Sequence, residues 1–178
     1  TEADHGLMAG SWFNVIVPVA VGGLVLQGFY QASLAISGSQ FTLTAAASAA
    51  SSASGGAVPS FTTTAGSAAV SVALAAHGLL AGETFTVQVP TIVGGLTLSG
   101  EYPVASVANS GVFVITSPVA AGSSGTAAEN GGLAQVASQS IDVDPFDRLL
   151  TPLSRSDYAA IPDKAQQAPP TVYYFDRQ

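Results

Sequence analysis

The chain has 178 residues, enough for one ordinary domain or two small ones. Only 8% of them are charged, against about 25% in a typical soluble domain, and the formal net charge is −7. The absence of Cys excludes disulfides and thiolate metal sites. So few charges suit strands joined by small-residue turns better than surface helices. They also leave a lone subunit poorly soluble, so neighbours are expected to cover much of the surface.

No uncharged apolar stretch reaches the length of a membrane helix without Gly, Pro or Ser interruption. Glu2 and Asp4 stand where a signal peptide would be basic. Residues 1–147 contain neither Lys nor Arg; Arg148, Arg155, Lys164 and Arg177 all follow, which marks a boundary near residue 140. An acidic chain without clustered cations is a poor nucleic-acid binder, although an acidic wall can keep DNA from sticking.

Shifted by 72, the sequence matches itself at 18 of the 40 ungapped positions 5–44. His5-Gly6-Leu7 falls on His77-Gly78-Leu79, Phe13 on Phe85, Pro18 on Pro90, Gly22-Gly23-Leu24 on Gly94-Gly95-Leu96, Tyr30 on Tyr102 and Phe41 on Phe113. Compositional bias does not place His, Pro, Tyr and Phe in register, so the chain carries a duplication.

In the second copy, residues 68–76 predict an opening strand, and 85–89 alternate with period two until Pro90, expected to end that strand. Gly94-Gly95 predicts a turn and Gly100 a bulge or bend. Strands at 102–107 and 112–115 close a unit of four short strands, as in a small barrel or sandwich. The first copy has no counterpart of 68–76, so a missing N-terminal piece is expected. The low-complexity runs 45–56 and 120–132 recur after each copy and are expected to be exposed loops, with a hairpin tip as one form.

The His-Gly-Leu strand pattern, with its Val-rich strand, Gly-x-Tyr and Phe strand, resembles a β repeat of many phage virion proteins. It is similar in pattern to the first catalytic cysteine half domain of ubiquitin-activating enzymes, without implying ubiquitin chemistry. The likeness covers roughly residues 5–44 and 68–116, and departs at Ser11, where the second copy has Glu83.

Residues 141–178 change character. Ser154 or Ser156 is placed to cap a short helix over 157–161, stopped by Pro162, and 171–175 predict an aromatic strand. Leu150, Leu153, Ser154, Arg155, Tyr158, Ile161, Lys164, Pro170, Thr171, Tyr173, Tyr174, Asp176 and Arg177 match a pattern seen in phage tail accessory and head-to-tail adaptor proteins. The resemblance implies a chain cut before that domain's Trp-Pro strand. Tyr173, Tyr174 and Phe175 put aromatics on both faces of one strand, which suits docking on another subunit; with Arg155 and Tyr158 they are the candidate interface residues.

Catalytic, cofactor and metal sites are not expected. His5 and His77 recur as repeat positions and lack a neighbouring nucleophile or acid pair, so they read as turn residues bonded to backbone. Asp142, Asp144 and Asp147 lack the EF-hand's Gly and Glu, and Gly22-Gly23 and Gly94-Gly95 lack a following Lys-Ser/Thr. Trp12 and Tyr30 are candidates for stacking on a sugar, with burial in the core as the plainer role.

The expected fold is all-β: two tandem small barrel- or sandwich-like modules, 1–58 and 59–140, followed by an irregular segment, 141–178, with a short helix and a strand. The expected function is a structural, non-enzymatic component of a bacteriophage virion, in the head-to-tail adaptor, neck or tail. It would be assembled in the bacterial host cytoplasm and packed on copies of itself and on portal, adaptor or tail proteins. The alternative is a receptor- or glycan-binding β module of a fibre or capsid decoration protein.

Overall fold

The computed structural model describes residue 7, residues 9–37 and residues 39–138. The chain divides into two units, Thr1–Gln139 and Ser140–Gln178, and all the described residues lie in the first. The short helix, the aromatic strand and the acidic run expected in the second lie outside the described residues.

The first unit is all-β, as the alternating apolar pattern predicts. Its strands are β1 (Trp12–Val21), β2 (Leu24–Ser37), β3 (Gln40–Leu43), β4 (Ser60–Thr63), β5 (Ala69–Ala73), β6 (Thr84–Val93), β7 (Leu96–Asn109), β8 (Val112–Thr116), β9 (Gly125–Ala128) and β10 (Val136–Ser138). They form two sheets, β10-β1-β2-β3 and β6-β7-β8-β5-β4-β9. The duplication is physical: β1 and β2 map onto β6 and β7 residue for residue under the shift of 72. The first copy's leading strand is hydrogen-bonded to residues that follow the second copy, since β10 pairs with β1 through Phe13↔Ser138 and Val15↔Val136.

Pro90 does not end its strand. β6 runs on to Val93 because its pairing with β7 skips between Val87 and Thr91, and a proline inside a bulge removes no ladder hydrogen bond. Pro18 occupies the same skip, between Val15 and Val19 in β1. Opposite each skip stands a glycine with positive φ, Gly28 at +87° and Gly100 at +86°. The bend stays within one long strand, so the two short strands expected at 96–98 and 102–107 are the single β7, and the unit read as four strands has three.

The cores follow the pleat. Phe13 and Val15 point inward with Leu7 and Ala32, and Tyr30, Phe41 and Leu43 pack on them. In the second copy Phe85, Val87, Leu98, Val104, Phe113 and Ile115 join Phe61, Val70 and Val72 from β4 and β5. Ala20, at the tip of β1, is buried in this second cluster, and Val25 packs against it.

Phe113 is fully buried, its ring 5.0 Å from Phe85 and 4.8 Å from His77. Phe113→Ala is expected to lower unfolding free energy by about 3–5 kcal/mol, a large share of the roughly 5–15 kcal/mol of a domain. Urea denaturation checks this; a loss below about 1 kcal/mol would show that the core closes over the cavity.

Candidate functional site

The motif residues that could carry chemistry mostly satisfy backbone groups. His77 Nδ1 accepts from the Leu79 amide at 3.0 Å, so Nε2 carries the proton and donates to the Asn109 carbonyl, also at 3.0 Å. One imidazole thus ties the His-Gly-Leu turn to the end of β7, the backbone role its recurrence suggested. Tyr102 Oη accepts from the Ser99 amide at 3.0 Å, and Tyr30 Oη from the Gln27 amide at 3.3 Å. The Gly-x-Tyr motif is therefore a hairpin device: glycine makes the bend and the phenol serves an amide freed by it.

The Gly-Gly tips are packed against small-residue segments. The Gly22 carbonyl accepts from the Ala50 amide at 2.8 Å, and the Gly94 carbonyl from the Ser123 amide at 3.1 Å. Runs 45–56 and 120–132 therefore fold over hairpin tips and do not form them. The second run is also more ordered than a loop: it contains β9 and the short 3-10 turn Glu129–Gly132.

That run delivers a buried acid that the sequence reading did not single out. Glu129 has no solvent exposure, and its Oε1 accepts from the Gln88 and Val89 amides at 3.1 and 3.2 Å. These amides are freed where β6 skips its ladder beside Pro90. Oε2 is buried with no hydrogen-bond partner. Burial pushes the carboxyl pKa above its usual 4.5, against the smaller downward pull of the Val89 and Gln88 amides. The only signal in sequence was an acid in a low-complexity run, which ordinarily marks solvent.

Outward-facing side chains differ between the copies. Trp12 and Phe29 are 56% and 64% exposed. Trp12 stands opposite Gln31 and Asn14 opposite Phe29, so all four share the outer face of the β1–β2 hairpin. Trp12 and Tyr30, both sequence candidates for stacking on a sugar, are separated by the pleat: Tyr30 turns inward, its ring stacked 6.0 Å from Phe13. In the second copy the four positions hold Thr84, Pro103, Thr86 and Glu101.

Arg155, Tyr158, Tyr173, Tyr174 and Phe175, the expected interface residues, lie outside the described residues, as do His5, Asp142, Asp144 and Asp147. Among the described residues no group of three or more His, Cys, Asp or Glu could hold a metal ion. Among them too, no helix is long and apolar enough to cross a membrane.

The fold defines the class: a duplicated all-β module with its polar motif residues turned to backbone support. No family model matches the chain, and no curated protein does. Among solved structures, the phage phi92 endosialidase aligns at 18% identity with a TM-score of 0.30, over 78% of this chain and 22% of that one.

Proposed function

We propose that this chain is a structural component of a tailed-phage virion, in the head-to-tail adaptor, neck or tail, acting by packing and without catalysis. The carrying observation is the use of its polar groups. Tyr30 and Tyr102 serve amides of their own hairpins, His77 ties its turn to the end of β7, and Glu129 serves two amides at the bulge of β6. That is the economy of a scaffold repeated for its shape.

The sequence resemblances of the repeat and of residues 141–178 to phage proteins support the same reading. So does the absence of Lys and Arg from residues 1–147, because interface cores are depleted of charge. Its partners would be other copies of itself and the portal, adaptor or tail proteins beside it. Imaging of intact particles with the protein labelled tests the proposal. A ring at the portal vertex or along the tail is expected; an even spread over the head surface would replace the adaptor reading with decoration.

A further inference from the structure

We propose that the outer face of the β1–β2 hairpin is a binding site for a neutral saccharide, a function beyond packing. Trp12 and Gln31 are directly opposed, as are Asn14 and Phe29, so the two aromatic rings stand on adjoining strands one diagonal apart. Diagonal neighbours lie about 7–8 Å apart at Cα, within reach of aromatic side chains. Two flat apolar surfaces flanked by amides suit a sugar, whose ring carries C–H bonds on its faces and hydroxyls around its edge. Gln31 is held in place by its Nε2 bond to the Gly10 carbonyl at 2.9 Å, and Asn14 is half-buried beside the rings.

The second module is an internal control. It keeps the inward residues, Phe85 and Val87 for Phe13 and Val15, on the same scaffold. It does so with Thr84 and Glu101 where the first has Trp12 and Phe29, so the fold does not require those aromatics.

Area and charge select the occupant. Aromatic side chains bury about 150–250 Å² each, so rings 56% and 64% exposed offer roughly 200–300 Å² together. A stable protein partner needs about 800 Å², whereas a few sugar rings fit. Trp12, Asn14, Phe29 and Gln31 carry no charge, and residues 1–147 contain no Lys or Arg to meet an anionic glycan.

Trp12 is the only tryptophan, so emission reports on this face alone. The full chain would be titrated with cellohexaose, maltohexaose and a β-galactan hexasaccharide, with a hyaluronan hexasaccharide as anionic comparator. A saturable emission change with at least one neutral probe is expected, weakened about tenfold or more in Phe29→Ala. Calorimetry should show the same loss in Trp12→Ala. Both variants should keep the wild-type melting temperature, since the side chains are exposed.

Three results would each overturn the proposal. One is no response to any neutral probe at concentrations up to ~10 mM, the weak end of the affinity scale. Another is equal or tighter binding of hyaluronan. The third is an emission change that tracks protein concentration without sugar, which would put a second copy on this face.

Discussion

Alanine at position 94 should destabilise the fold by about 2–5 kcal/mol, while alanine at position 95 should cost about 1–2 kcal/mol. Gly94 and Gly95 both have positive φ, +58° and +80°, so both substitutions meet the left-handed penalty of an L side chain. They differ in what lies beyond. A Cβ on Gly94 would overlap Thr63 Oγ1 and the Ser123 carbonyl, whereas one on Gly95 would meet nothing nearer than the Gly122 amide nitrogen at 3.8 Å. Neither obstacle can yield easily. Thr63 is buried, its hydroxyl lies 3.1 Å from the Ser123 carbonyl and 3.3 Å from that of Gly125, and it donates to them. Moving Ser123 breaks the bond from its amide to Gly94. Urea midpoints of the two variants test this, and equal losses would show that only φ matters and that the cover over the tip gives way.

Glu129 should make the protein less stable as pH rises, the reverse of an ordinary surface-paired carboxylate. Burial raises its folded pKa above the unfolded 4.5, so folding favours the protonated form. The resulting stabilisation is fully present below the unfolded value and is lost as pH rises through the folded one. Glu129→Gln keeps an oxygen for the Gln88 and Val89 amides and removes the ionisation. Its melting temperature relative to wild type should climb from pH 4 to pH 7.5, with the variant the more stable at neutral pH. Glu129→Ala instead leaves two amides unserved in a buried place and should cost about 2–4 kcal/mol at any pH in that range. Parallel melting curves for wild type and Glu129→Gln across the range would refute a raised pKa.

How much of this was readable beforehand depended on whether a signal was local. The duplication, the inward set around Phe13 and Phe85, and the Gly-Gly turns rest on spacing that a pleated strand imposes, and they could be read directly. The reading of Pro90 as a strand end failed because a local rule met a long-range fact: β7 tolerates a skipped register opposite Gly100. The exposed-loop reading of residues 120–132 holds for most of its side chains but misses β9 and the buried Glu129, since Ala, Ser and Gly are as useful for close approach to a hairpin tip as for staying in water. The aromatic face was half legible. Trp12 is legible as a candidate, but its partner depends on which strand faces are opposed, and Phe29 rather than Tyr30 holds that place.

By itself, then, the sequence determined that this protein is β, that it is built twice on one 72-residue period, and which strand faces turn inward. Alternation and duplication are properties of neighbouring residues and survive without a fold. Only the tertiary structure decided that β10 returns to close the edge of β1, and that Glu129 fills the gap left by a bulge 40 residues earlier. It also decided that two aromatics of the first copy meet on one open face. The first two join groups far apart in the chain, and the third depends on a hairpin register that shifts between Val15 and Val19, which no local pattern specifies.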